Sequence, residues 1–207
     1  MAQLTNIEWK KYLATITFDD GNQFYITRDI FYELNLKENE LYDLEQLKKK
    51  IILFQYRSAL NKAVSMLALR PCSIKEIEDR LLRFHYLSDT IDLVIYKLKK
   101  EGFLNDQEFA KQWTESRMNQ GKYGRTRIAY ELRRKGLSEN TVDEVMNETD
   151  PEQEFCSAYR LAEKSLKNVS SCDDILKQKR RIYGMLARRG FETDIIHQVI
   201  DQIFSDE

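Results

Sequence analysis

The first part of the chain alternates apolar and polar side chains with a period of two, which is typical of a half-buried strand. One run of this kind contains Tyr12, Ala14, Ile16 and Phe18. A second run follows at residues 24–27, after a turn sequence with a glycine at 19–22. We therefore predict a β-hairpin. An earlier short strand near residues 4–9 is expected to join it, because a lone hairpin is marginally stable.

From residue 29 onward the apolar spacing lengthens to three or four residues, which indicates amphipathic helices. Residues 39–69 carry this spacing throughout, so we interpret them as one long connecting helix or two helices end to end. Three lysines occur together at 48–50. A charge run on a helix is usually a solvated face, and we interpret these lysines in that way.

An internal repeat organises the rest of the chain. Its apolar positions recur after 51 residues and again after a further 54, as the spacing of two short helices joined by a tight turn. The aligned residues of the three copies are Ile77, Leu81, Tyr86, Ile91 and Val94, then Ile128, Leu132, Leu137, Val142 and Val145, then Ile182, Leu186, Phe191, Ile196 and Val199. Another apolar-periodic segment precedes each pair, so the unit is three helices.

Turn and capping residues support the helix boundaries. Gly136 and Gly190 stand where a helix end favours the left-handed conformation, and His85 takes that place in the first copy. Ser73 with Glu76 has the spacing of a reciprocal capping box. Serines at 88 and 138 are interpreted as caps of the third helix in the first two copies.

Together these patterns predict a mainly α fold of three tandem three-helix repeats that form an elongated, curved body. A small N-terminal β-hairpin or three-stranded extension is expected to be an accessory to the repeats. The predicted segments are the extension at 1–38, the connecting helix at 39–57, and the three repeats at 58–101, 102–149 and 150–207.

Charge is segregated along the chain although the net charge is only −1. Between positions 117 and 136 there are seven basic residues against one acid, and between 177 and 189 six basic residues and no acid. The second and third copies both have basic residues at the same two positions of one helix, about two turns apart. This predicts one stripe of phosphate-binding side chains on each copy, with the two stripes side by side. The candidate nucleic-acid-binding residues are Arg125, Arg127, Arg133, Arg134, Lys135, Arg180, Arg181, Arg188 and Arg189.

Residues 139–154 are the opposite, with seven acids and no base. Such a surface repels DNA and suits a basic patch on a protein. A solvated helix face explains the same acids equally well. The first copy lacks the pair of basic residues that forms each stripe, because Glu76 stands at the position of Arg127. The candidate protein-binding residues are Glu139, Asp143, Glu144 and Glu148.

Composition and missing motifs narrow the function classes. Only 7 Gly and 2 Pro accompany 32% charged residues, and no apolar stretch approaches the roughly 20 residues of a membrane helix. The start of the chain does not resemble a signal peptide, so we expect a cytoplasmic protein without a membrane partner. Phosphate-loop, HExxH and GxSxG motifs are absent, and the cysteines at 72, 156 and 172 lack metal-ligand spacing. We expect no enzyme activity, cofactor or metal.

Three segments resemble the RecX family. Residues 69–77, Leu-Arg-Pro-Cys-Ser-Ile-Lys-Glu-Ile, resemble its first-repeat signature, in which a second arginine stands where this chain has Cys72. Residues 102–110 and 121–137 resemble its most distinctive second-repeat segments, and the likeness covers about 58–204. It implies a regulator of DNA repair, the SOS response and homologous recombination that binds the RecA filament, restrains its ATPase and strand exchange, and touches DNA.

We also expect a monomer, and we expect the arginine stripes to contact single-stranded or duplex DNA without strong sequence preference. Two other classes stay open from the residues alone. Three-helix units with an arginine-rich helix are similar to helix-turn-helix modules, which would discriminate among duplexes. A helical scaffold that binds only proteins would leave the arginines incidental and would bind no DNA.

Overall fold

The computed structural model describes residues 1–167 and 174–205. The chain is mainly helical with a small N-terminal antiparallel sheet, which confirms the predicted fold class. It divides into two compact units, Met1–Asn105 and Asp106–Glu207. The first unit contains the sheet, the long helix and the first repeat, and the second unit contains the helices of the second and third repeats.

Four strands form the sheet in the order β3-β2-β1-β4, with antiparallel pairing. They are β1 Ala2–Lys10, β2 Leu13–Phe18, β3 Gln23–Thr27 and β4 Leu41–Tyr42. The predicted hairpin and the earlier strand are confirmed. Ala14, Ile16 and Phe18 are buried in one core with helix α1, Arg28–Leu34, whereas Tyr12 precedes β2 and is exposed. The fourth strand was not predicted.

The start of the long helix differs from the prediction. Helix α2 is Leu44–Leu69, because the Asp43 side chain accepts hydrogen bonds from the N–H groups of Glu45 and Gln46 and caps it there. The preceding residues Leu41–Tyr42 pair with Ala2 and Gln3 instead. The apolar spacing of 39–69 did not indicate where α2 begins, because two apolar residues of a short strand also fit a helical spacing.

Helix α2 joins the sheet to the first repeat. Its first half packs in the core of the sheet through Leu47 and Ile51, and its second half packs on helices α3, Ile74–Arg83, and α4, Ser88–Lys100. Gln55 is buried between them: its Nε2 donates to the Tyr25 carbonyl at 3.2 Å, and its Oε1 accepts from the Leu87 N–H at 3.0 Å.

The remaining helices belong to the second unit. They are α5 Asp106–Gln120, α6 Arg125–Arg134, α7 Glu139–Asn147, α8 Pro151–Leu166, α9 Ile175–Arg188 and α10 Thr193–Ser205. The aligned apolar positions of all three copies are buried, except for the half-buried Tyr86. Residues 168–173 are outside the described part of the chain. They include Cys172 and most of the predicted polar loop at 167–174.

The turn predictions are confirmed in all three copies. Gly136, Gly190 and His85 have φ angles of 85°, 78° and 60°, the left-handed conformation that ends the second helix of each repeat. Ser138 caps α7 by accepting from the Thr141 N–H. Ser88 does not cap α4, because it is the first helical residue and Leu87 occupies the cap.

Candidate nucleic-acid interface

The second and third repeats meet where α6 begins. The N–H of Gly124 donates to the Arg189 carbonyl at 3.0 Å, and the N–H of Thr126 donates to the Gly190 carbonyl at 3.1 Å. The first N–H groups of a helix have no partner within it. Here the turn that follows α9 supplies two carbonyls at the start of α6, so the two repeats are joined by backbone hydrogen bonds.

Both glycines at this joint are required by space. A Cβ atom on Gly124 would lie 2.3 Å from the Gly190 carbonyl oxygen, and one on Gly190 would lie 2.5 Å from the backbone nitrogen and Cβ of Arg127. Neither neighbour is a flexible side-chain end. The backbones of the two repeats therefore touch directly, which a side chain at either position would prevent.

Glu154 of α8 completes the joint. Its carboxylate accepts the backbone N–H of Arg125 at 3.0 Å, and its side chain is almost fully buried. Burial raises the pKa of the Glu154 carboxyl above its ordinary value, while the Arg125 N–H acts in the opposite direction. Glu154 belongs to the acidic run at 139–154, where sequence alone could not separate one capping carboxylate from its solvated neighbours.

The joint fixes how the two basic helices are related. The last residues of α9 lie against the first turn of α6, so Arg127 directly neighbours the turn that follows Arg188 and Arg189. The stripes thus meet end to start, and this arrangement replaces the expected side-by-side one. Equivalent positions such as Arg127 and Arg181 are not neighbours at this contact.

Six of the predicted cations are exposed on these helices, and five of them have no close ion pair with a described residue. Arg134, Arg180, Arg181 and Arg188 form no ion pair with any described residue, and Arg127 has only a long contact, 3.5 Å from Nε to Glu131 Oε1. Glu131 is held elsewhere, since its Oε2 accepts from Arg117 Nε at 2.9 Å and from Trp113 Nε1 at 3.2 Å. We call the following residues the basic surface: Arg127, Arg134, Arg180, Arg181 and Arg188.

The other predicted cations are more engaged. Arg125 is directed inward, where its guanidinium donates to the Met146 carbonyl. Arg133 Nε binds both oxygens of Glu139 at 2.9 and 2.8 Å. Lys135 Nζ lies 4.1 Å from the centre of the Trp113 ring, and Arg189 is half-buried at the joint. These four stabilise the unit, so we leave them out of the basic surface.

The predicted acidic residues also have partners within the unit. Glu139 and Asp143 both approach Arg133, at 2.8 and 3.7 Å. Glu148 pairs with Lys111 at 3.0 Å, and Glu144 accepts from Gln107 at 3.0 Å. All four acids are exposed, so a partner protein could reach them, but it would compete with these contacts.

The N-terminal end of α6 is not itself an open anion site. The N–H groups at this end carry the partial positive charge of the helix, and they already donate to the Glu154 carboxylate and to two carbonyls of the third repeat. The exposed group in this turn that can bind an anion from solvent is therefore the Arg127 guanidinium.

Other kinds of site are not evident in the described part of the chain. Within residues 1–167 and 174–205 no helix is both long and apolar enough to cross a bilayer. The same residues contain no cluster of three or more His, Cys, Asp or Glu side chains suited to a metal ion.

Three-helix repeats with five exposed arginines on α6 and α9 define a helical-repeat protein with an exposed basic surface. The family model described as "RecX, second three-helix domain" matches residues 105–146, and that described as "RecX, third three-helix domain" matches residues 152–200. The chain is 30% identical to the "Regulatory protein RecX" of Clostridioides difficile strain 630, over 99% of this chain and 97% of that protein. It belongs to the RecX family of regulatory proteins, which confirms the resemblance.

Further comparisons agree with this assignment. The "Regulatory protein RecX" of Bacillus subtilis strain 168 is 32% identical over 91% of this chain and 71% of that protein. A crystal structure of RecX from Lactobacillus salivarius has a TM-score of 0.67 at 27% identity, covering 72% of this chain and 96% of the other. Another RecX crystal structure covers both chains fully with a TM-score of 0.64, and its 18% identity shows likeness of fold alone.

Proposed function

We propose that this chain binds the RecA filament and its DNA and lowers the ATPase, strand-exchange and recombination activity of RecA. Membership of a family of regulatory proteins supports a regulatory role. The observation that carries the DNA contact is the basic surface, whose five arginines lie on two helices joined end to start. The protein acts as a cytoplasmic monomer and hydrolyses no nucleotide.

The basic surface suits DNA of any sequence. Guanidinium groups on exposed helix faces bind phosphate oxygens, which every nucleotide carries, and such contacts position a protein without reading bases. Exposed acids at 139, 143, 144 and 148 are the proposed contact with a protein partner, where basic groups of that partner would replace Arg133 and Lys111.

The test is the ATPase of RecA on single-stranded DNA, titrated with this protein. We expect RecA turnover to fall at substoichiometric to stoichiometric amounts, and we expect no hydrolysis by this protein alone. The double variant Arg127→Ala with Arg188→Ala should require a higher concentration for the same effect, because it loses two phosphate contacts. Unchanged RecA turnover at saturating protein contradicts the proposal.

A further inference from the structure

Tyr130 is an exposed aromatic residue in the middle of the basic surface. It lies on α6 between Arg127 and Arg134, and 49% of the residue is exposed. Residues three and four positions apart on a helix are surface neighbours, so both arginines flank the ring. Their guanidinium carbons lie 5.6 and 6.0 Å from the ring centre.

The ring does not serve the core. Tyr123 and Trp113, which are close in sequence, pack against the buried cluster of the second repeat, whereas Tyr130 is not part of that cluster. Its hydroxyl forms no hydrogen bond with a described residue. Tyr183 on α9 differs again, because its ring lies 5.9 Å from the ring of His197.

The flanking guanidinium groups leave the ring accessible. They are farther from it than the cations that pack on Trp113, where Lys135 Nζ lies 4.1 Å and Arg117 Cζ 4.5 Å from the ring centre. At 5.6 and 6.0 Å the interaction is at the outer limit of cation–π attraction. A planar ligand that stacks on Tyr130 would displace little, and the arginines would be free to meet its phosphates.

We propose that Tyr130 stacks on an unpaired base and gives the basic surface a preference for single-stranded over duplex nucleic acid. The proposal rests on the DNA contact of the proposed function. Every base has a flat face that an aromatic side chain can cover, and that face is accessible in a single strand but is covered by neighbouring pairs in a duplex. Phosphates are present in both forms, so the arginines alone do not distinguish them.

The test compares binding of a fluorescein-labelled single strand of 20 thymidines with binding of a labelled duplex of about the same length. Tyr130→Ala should weaken single-strand binding by roughly 5-fold to 150-fold, because base–aromatic stacking contributes about 1–3 kcal/mol. Its duplex affinity and its salt slope should stay unchanged, since no phosphate contact is lost. Tyr130→Phe keeps the ring and should bind like the wild type.

Tyr96→Ala is the matched control, because Tyr96 is an exposed tyrosine on a helix of the other unit. Equal single-strand binding by the wild type and Tyr130→Ala overturns the stacking role and leaves the DNA contact intact. A parallel loss of single-strand and duplex binding also overturns it. A wild-type protein that binds neither oligonucleotide overturns both the stacking role and the DNA contact, whereas the RecA titration tests regulation separately.

Discussion

Helices α3 and α6 are equivalent in the first and second repeats, yet they begin in different ways. Helix α3 has a local cap: Ser73 accepts the Glu76 N–H, and the Glu76 carboxylate accepts the Ser73 N–H at 3.2 Å. Helix α6 has Gly124 at the cap position without a side-chain hydrogen bond. Its first N–H groups are satisfied by Glu154 and by the carbonyl groups of the third repeat.

This difference explains the contrast in charge between the two repeats. A capping box needs a carboxylate or amide three residues into the helix, and in α3 that residue is Glu76, which also pairs with Arg70 at 3.0 Å. In α6 the capping groups belong to the third repeat, so the residue three positions into the helix is not needed for a cap, and that residue is Arg127. The second repeat thus gains both an attachment to the third repeat and an exposed cation beside it.

The turn after the second helix shows a parallel difference. His85 in the first repeat stacks on Tyr25 of the sheet, with ring centres 4.7 Å apart. Gly190 in the third repeat presents its bare backbone to α6. The same turn therefore attaches a repeat to its neighbour, through a side chain in one case and through the backbone in the other.

The largest effect is expected from Gly124→Ala. The added Cβ would lie 2.3 Å from the Gly190 carbonyl oxygen, so the joint must open, and we expect the free energy of unfolding to fall by about 3 kcal/mol. Urea denaturation followed by circular dichroism measures it. Gly184→Ala is the control: its Cβ meets only the end of the Arg188 side chain, at 3.3 Å, and alanine should raise helix stability by up to about 1 kcal/mol. Equal effects of the two variants would refute the close approach.

A smaller effect is expected at Glu154. Glu154→Ala leaves the Arg125 N–H without its acceptor and should lower the free energy of unfolding by about 1–2 kcal/mol. Glu152→Ala, at an exposed site on the same helix, should change it by less than about 0.5 kcal/mol. Similar losses for the two alanine variants would show that Glu154 is not a cap.

The pH dependence at Glu154 follows from its raised pKa. The folded state keeps this carboxyl protonated at pH values where the unfolded chain has lost the proton, so its contribution to stability is greatest below about pH 4.3 and declines as the pH rises toward the folded pKa. Glu154→Gln retains an acceptor oxygen and has no charge to bury. Its stability relative to the wild type should therefore rise as the pH increases above about 4.3, and a fall with increasing pH would contradict the assignment.

The sequence predicted the parts of this fold that depend on local pattern. Apolar spacing located the repeats, and glycine or histidine at the turns marked the left-handed residues, because both signals lie within a few neighbouring positions. Two features were not predicted from the sequence. Strand β4 has only two residues, and its pairing with Ala2 and Gln3 is a long-range contact. The joint at Gly124 and Gly190 depends on two backbones that are distant in sequence, so the end-to-start arrangement of α6 and α9 was not predicted.

The most direct test of the basic surface is the salt dependence of DNA binding. Each phosphate contact that is lost lowers the magnitude of the slope of log K against log salt by about one, so Arg127→Ala with Arg188→Ala should lower it by about two. Melting should change little, since exposed charges contribute little to stability.

Glu76→Gln is the control for this measurement. Glutamine preserves the capping box in the first repeat, and Glu76 holds the position that Arg127 occupies in the second. We predict a slope that falls by about two for the arginine pair and stays unchanged for Glu76→Gln. An unchanged slope for the arginine pair, or an equal fall for Glu76→Gln, would contradict a nucleic-acid surface formed by α6 and α9.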